Sequence, residues 1–498
     1  MAEPVKRPSF NPLSALKGRI LTDHPSLRNG LSDRQFTAVS AVLGLALAAG
    51  AVLAAGPWDS GQRKAEQDWA AARTRTGGAH HDPGTLAAPA PAPSAPAVLA
   101  PLGAASGDAP RTADAPATAP LRATLDPLLR NPALGTRRSA VVIDTATGER
   151  LYGVAADTPM TPASTIKIAT TVAALTALGP DDRIPTTVRA SKDLRTVTLV
   201  GGGDPTLDRA ALRTLAADTA RALKDGGVRS VRLRYDTSAY SGPALHPIGP
   251  NENIAPLSAL MIDEGRLDKS SGGPAPRSED PAGDAADTFG KLLEQAGVDT
   301  GEGAAPGRAA ATSAPVARHL SPPLSALVER ALTNSDNDIA EALARRTAHA
   351  AGRPADFRGG GQAVTAQLKK LGLPLKGVTV ADGSGLDRKD KVTAALLAGL
   401  LARAADPGHP ELRPVLTGLP VAGFSGTLSG RYTTASGGTG LIRAKTGTLT
   451  GVNTLSGTVV APGGRLLAFA FLASGTTAPA EAQSALDSLA TALASGHR

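Results

Sequence analysis

Apolar and polar positions fall into blocks of different period along this chain, and each block predicts a different element. From Thr37 to Gly56 the run TAVSAVLGLALAAGAVLAAG is almost wholly apolar, and no charge falls between Arg34 and Asp59. That matches the roughly 20 helical residues needed to cross a bilayer. Between Gly77 and Pro120 periodicity disappears into a Pro/Ala-rich stretch that cannot bury a core and reads as a spacer. Order is expected from about Leu121. SAVVIDTATGERLYG (Ser139–Gly153) alternates as two strands around a Gly-containing turn, and STIKIATTVAALTAL (Ser164–Leu178) predicts a buried helix stopped by Gly179 and Pro180. From Pro185 to Ser321 short strand-like runs alternate with Gly/Pro-rich loops. Helical periodicity returns in PPLSALVERALTNSDNDIAEALARRTAHA, broken around Thr333–Ser335, and again over Thr393–Ala405. The stretch from Leu441 to Ser474 predicts three strands, and AEAQSALDSLATALAS predicts a closing helix.

These blocks divide the chain into a basic tail (1–36), a transmembrane anchor or signal sequence (37–57), a linker (58–120), a first domain part (121–184), an inserted region (185–320) and a second domain part (321–498). Lys6, Arg7, Lys17, Arg19, Arg28 and Arg34 outnumber the acids of the tail, so the positive-inside bias keeps the tail cytoplasmic and exports the rest. Small residues at Ala54, Ala55 and Gly56 also suit a signal peptidase. The leader is long for a signal peptide, which favours an uncleaved anchor. Either way the bulk of the chain is expected outside the membrane, or secreted if the segment is cleaved.

Composition changes this picture little. Net charge is +8, with acids and bases interspersed, and no cluster of Lys and Arg with aromatics marks a nucleic-acid surface. Cysteine is absent, which excludes a thiol nucleophile, a thiolate metal site and disulfides. No His-Glu-x-x-His is present, so neither metal nor cofactor is expected. His80 and His81 fall in the spacer and read as solvated. GGGDPTL (Gly201–Leu207) lacks the Gly-Lys-Ser/Thr of a phosphate loop, and its glycines read as turn geometry.

Candidate chemistry begins with Ser164-x-x-Lys167, two side chains on one helical face. Alone the pair is weak, because Ser14 and Lys17 repeat it and serine is an ordinary helix cap. Ser335-Asp336-Asn337, at a helix break, and Lys445-Thr446-Gly447, in a strand, change that. In this order the three motifs form the active-site set of penicillin-interacting serine enzymes. Serine needs an adjacent base to act as a nucleophile. Lys167, flanked by Ile166 and Ile168, is placed to be desolvated, and desolvation favours the neutral amine that takes the Ser164 proton. Ser335 is placed to relay protons and Asn337 to bind the substrate amide. Lys445 and Thr446 suit a terminal carboxylate, and Gly447 suits close approach of the strand to the ligand. Asp336 is assigned no chemistry, and Asp382–Gly385 reads as a turn near the site.

Longer segments narrow the reading. DTPMTPASTIKIAT, VGGGDPTL, TNSDNDIAEALAR, DGSGL, GFSGTLSGR and AKTGTLTGVNTLSG closely resemble the class C low-molecular-mass penicillin-binding proteins, a family of D-alanyl-D-alanine carboxypeptidases and endopeptidases. The resemblance runs from about Ser139 to the C-terminus. It implies an α/β fold with a β-lactamase/DD-peptidase-like serine transpeptidase domain, an antiparallel sheet flanked by helices and a large insertion between the first two motifs. Implied partners are peptidoglycan stem peptides as substrates and β-lactams as covalent inhibitors. The backbone N–H groups of Ser164 and Thr448 are the implied oxyanion hole. LDRKDK (Leu386–Lys391) departs from the family pattern and bears on substrate detail. A β-lactamase is the enzymatic alternative, disfavoured by the lack of a Glu-x-x-Leu-Asn element. A non-catalytic peptidoglycan-binding scaffold is the other, disfavoured because all five key residues are intact.

Overall fold

The computed structural model describes residues 118–495, apart from Lys269 and residues 433–435. The tail, the apolar segment 37–57 and all but the end of the linker lie outside the described residues. Among the described residues, no helix is long and apolar enough to cross a membrane.

After helix α1 (Thr118–Leu129), strands β1 (Arg137–Asp144) and β2 (Arg150–Val154) form the expected hairpin, followed by a 3-10 turn (Ala163–Ile166) and helix α2 (Lys167–Leu178). The segment that follows holds β3 (Pro185–Ala190), β4 (Thr196–Val200), α3 (Arg209–Asp225), β5 (Arg232–Asp236), α4 (Pro281–Gln295), β6 (Ala305–Pro306) and β7 (Ala314–Leu320). Helices α5 (Leu324–Thr333), α6 (Asn337–Ala350), α7 (Phe357–Lys370), α8 (Ala394–Ala405) and α9 (Arg413–Thr417) come next. Strands β8 (Ile442–Leu449), β9 (Val452–Val460) and β10 (Leu466–Ser474), then helix α10 (Pro479–Ser495), complete the chain.

One sheet runs β2-β1-β10-β9-β8, antiparallel throughout. Its central strands are apolar on both faces, and alternation sorts their side chains into two cores. Ala468, Ala470 and Leu472 of β10 face one core, with Val172 of α2 and Leu397 and Leu401 of α8. Phe469 and Phe471 face the other, with Leu125 of α1 and Leu486 and Leu489 of α10. A sheet covered by helices on both faces holds its outer strand, β8, firmly enough to serve as one wall of a site.

Residues 185–320 build a second sheet, ordered β6-β5-β4-β3-β7, with parallel β4–β5 and β5–β6 pairs among antiparallel ones. Helices α3 and α4 cover it, burying Leu212, Leu215, Leu223, Phe289 and Leu293 against Val188, Val197, Leu199 and Leu233. The expectation of strands and loops alone misses these two helices. Their signal is present: Asp208 caps α3 through the Ala211 N–H at 2.7 Å, and Leu212, Leu215, Thr219 and Leu223 repeat at helical spacing. Alanines between them dilute the apolar period.

Candidate active site

Ser164 lies in the 3-10 turn that precedes α2 rather than capping the helix, and makes no side-chain cap bond. The residue before it, Ala163, is buried with φ +48°. A left-handed alanine costs about 1–2 kcal/mol, so packing must hold it there. It does: the Ala163 carbonyl sits where a Cβ on Gly385 would stand, so only glycine fits in the facing turn. Ser164 is left half-exposed at the cleft while its neighbours Ala163 and Thr165 are buried.

Lys167, one turn on, is fully buried. Its Nζ lies 3.0 Å from Ser164 Oγ, 2.7 Å from Asn337 Oδ1 and 2.6 Å from the Ser384 carbonyl. Asn337 donates its Nδ2 to the Asn253 carbonyl at 2.9 Å, which sets its amide orientation and turns Oδ1 to the lysine. Both Asn337 Oδ1 and the Ser384 carbonyl can only accept. Together they use the two N–H bonds of a neutral amine and leave its lone pair toward Ser164. Burial also disfavours the ammonium and lowers Lys167 to about 8, with Asp382, Asp336, Glu341 and Asp390 acting in the opposite sense.

Lys445 is likewise buried and donates to the Thr446 carbonyl at 2.7 Å. Burial, then the charge of Lys167, hold it well below the usual lysine range. Thr446 is partly exposed and donates its hydroxyl to Thr427 at 2.8 Å. Strand β8 passes directly behind the turn that carries Ser164. A Cβ on Gly447 would lie 2.7 Å from the Pro162 carbonyl and 3.1 Å from Ser164 N, and would also strike Thr454 Oγ1. The missing side chain brings the strand against the serine turn. Thr448 follows at the exposed end of β8. The Ser164 N–H, at the start of its turn, has no acceptor within the turn.

Ser335 has φ +58° in the break between α5 and α6, is partly exposed, and its hydroxyl forms no hydrogen bond among the described residues. It is not bonded to Lys167 or Lys445. Asp336 caps α6 by accepting the Ile339 N–H at 3.0 Å, a structural role as expected. The structure thus gathers Ser164, Lys167 and Asn337 by direct contact, backs them with Gly447, and leaves Ser335 and Thr446 facing the opening.

Several groups at the site carried no signal in sequence. The turn Asp382–Gly385 does lie near the site as expected, but the contact of its Ser384 carbonyl with Lys167 is one, because backbone contacts do not depend on residue type. Asn253 is another, contributed by the 185–320 segment. Below the Ser335 break, Asp338 accepts the Ala255 N–H at 3.0 Å and pairs with Arg277 at 2.9 Å, tying that segment to α6. Beside them Glu264 pairs with Arg266 at 3.0 Å and with Arg330.

A family model described as D-Ala-D-Ala carboxypeptidase 3 (S13) matches residues 121–275 and 268–493. Carboxypeptidase DacB of Mycolicibacterium smegmatis is 37% identical over 436 residues, covering 84% of this chain and 92% of its own length. The D-alanyl-D-alanine carboxypeptidase of an Actinomadura strain is 30% identical over 449 residues, covering 72% of this chain and 82% of its own. Among solved structures, penicillin-binding protein 4 of Haemophilus influenzae superposes with a TM-score of 0.63 at 23% identity, covering 74% of this chain and 97% of that one.

Proposed function

This chain belongs to the D-Ala-D-Ala carboxypeptidase 3 (S13) family, and we propose that its serine DD-peptidase chemistry on peptidoglycan stem peptides is carried by Ser164, Lys167, Ser335, Asn337, Lys445, Thr446 and Gly447. The observation that carries this assignment is the lysine amine buried 3.0 Å from the serine hydroxyl, with its two other partners both acceptors. Ser164 Oγ attacks the carbonyl between the two D-alanines as its proton passes to neutral Lys167. The resulting oxyanion is held by the backbone N–H groups of Ser164 and Thr448, where one such donor contributes about 3 kcal/mol. Collapse breaks the C–N bond, and the leaving amine takes its proton from Lys167 through the Ser335 hydroxyl. D-Alanine departs. Water then attacks the acyl-enzyme, Lys167 takes the water proton, and the ester breaks as Ser164 Oγ recovers one. Cleavage of a cross-bridge between stems uses the same steps with a different leaving amine.

Lys445 and Thr446 hold the terminal carboxylate. A buried amine kept from charging by desolvation and by Lys167 regains its proton when an anion arrives beside it, so substrate binding restores the charge at Lys445. A β-lactam carboxylate uses the same contact and leaves Ser164 acylated. The segment 185–320 acts as an inserted module that supplies Asn253 to the site. The catalytic part works outside the cytoplasmic membrane, where its substrate lies, and residues 37–57 tether it there. Membrane fractionation of the full chain against one lacking residues 1–57 tests the tether, which is wrong if both fractionate alike.

Intact-mass analysis of the exported portion after penicillin treatment, followed by peptide mapping, tests the chemistry. One stable adduct on the Ser164 peptide, absent from Ser164→Ala, is expected. Drug hydrolysed without an adduct would instead mark a β-lactamase, and intact drug without an adduct a peptidoglycan-binding scaffold.

A further inference from the structure

His246 belongs to the 185–320 segment, yet it is almost fully buried against the other domain part, at 2% exposure. Its Nε2 lies 2.9 Å from Asp382 Oδ2, its Nδ1 accepts the Ile248 N–H at 3.3 Å, and its ring meets Phe357 edge-on at 5.1 Å. With Nδ1 accepting, the proton is on Nε2, and a neutral imidazole donates to Asp382.

Asp382 in turn organises the turn 382–387. It accepts the N–H groups of Ser384 and Gly385 on Oδ1, at 3.0 and 2.5 Å, and that of Asp387 on Oδ2 at 2.7 Å. Glu341 accepts the Gly383 and Ser384 N–H groups on Oε1 at 2.8 and 3.0 Å, and Arg345 on Oε2 at 3.0 Å. The potential ligand atoms of His246, Glu341 and Asp382 lie within 4.8 Å of one another, as around a cation. Each carboxylate oxygen and His246 Nδ1 already accepts an N–H, so the cluster is an anchor for backbone rather than a metal site. That anchor presents two carbonyls to α2: Gly383 accepts the Thr170 hydroxyl at 2.7 Å, and Ser384 accepts Lys167 Nζ at 2.6 Å.

We infer that His246 is a positioning residue for the general base, acting from the inserted segment through Asp382 and the Ser384 carbonyl on Lys167. When the His246 bond is lost, the turn is released on one side and its carbonyl leaves the amine. Two consequences follow. The amine is no longer held against Ser164, so acylation slows. The ammonium also loses a carbonyl acceptor and part of the field of Asp382, so Lys167 gives up its proton at lower pH. Asp336, Glu341 and Asp390 still favour the ammonium and Lys445 still opposes it, and none of these contacts His246 by hydrogen bond.

The inference rests on Lys167 being the base, and one experiment separates the two. Single-turnover acylation by a fluorescent penicillin is followed against pH on the full chain, per folded molecule. The comparison is between wild type, His246→Leu, His246→Gln and His246→Asn. Failure of wild type to acylate at Ser164 refutes the catalytic assignment itself. With wild type active, His246→Leu should lower the plateau about 10–100-fold, by analogy with the loss when an outer partner that orients a metal-binding side chain is removed. Its acid limb should also move to lower pH. Glutamine, whose amide N–H reaches the place of Nε2, should restore most of both, whereas the shorter asparagine should not. An unchanged plateau, a lowered plateau with an unmoved limb, or equal behaviour of glutamine and asparagine would each overturn the inference. So would failure of all three variants to fold, which would make His246 a determinant of the fold alone.

Discussion

Lowering the pH below about 8 should switch off acylation of Ser164, because there the buried amine of Lys167 becomes protonated. Burial moves this lysine from 10.5 to about 8 against the pull of Asp382, Asp336, Glu341 and Asp390. The difference is worth about 3 kcal/mol between the two protonation states. At neutral pH about one molecule in ten then carries the free amine, compared with about one in three thousand for an ordinary lysine. The site thus gains a few-hundred-fold in available base without any change in the serine. The acylation rate at saturating β-lactam should fall about tenfold per pH unit below the midpoint and level off above it. On the proposed contact the bound carboxylate keeps Lys445 charged, so saturation isolates Lys167. Rapid-mixing measurement of adduct formation gives the profile directly. A rate independent of pH through this range would show that Lys167 is not the base, and one still climbing toward the value of an unburied lysine would show that burial does not lower its proton affinity.

Gly447→Ala should cut acylation more than a hundredfold and destabilise the protein by about 1–3 kcal/mol. The new methyl meets Thr454 Oγ1 and the Pro162 carbonyl and pushes β8 off the serine turn; adduct formation together with urea unfolding checks both effects. Phe469→Ala empties a fully buried position between β10 and the outer helices, and should cost about 3–5 kcal/mol in urea unfolding while leaving the adduct site unchanged. Asp208→Ala removes the cap of α3 and should lower stability by about 1 kcal/mol, with acylation per folded molecule unaltered. A drop in that acylation rate would show that the inserted sheet communicates with the site more widely than through His246 and Asn253.

The α/β class, the hairpin before Ser164, the helix break at Ser335 and the three C-terminal strands were all legible in the sequence. Each depends on short-range periodicity, turn residues or a three-residue motif. The Ser164–Lys167 contact is of the same kind, since one helical turn brings the side chains together whatever surrounds them. Lys167 and Asn337, by contrast, meet only because α2 and α6 pack into one core, and no local pattern reports that. The same holds for the Ser384 carbonyl and for the pairing of His246 with Asp382, which joins residues 136 positions apart. Gly447 shows the difference at one residue. A glycine was readable as a close approach, but the protein atoms it makes room for, at Pro162 and Thr454, are set only by where β8 crosses the serine turn. Local chemistry is written in neighbouring residues because the backbone fixes their separation. The burial that lowers the lysine's proton affinity comes from segments distant in the chain, and exists only once they have packed.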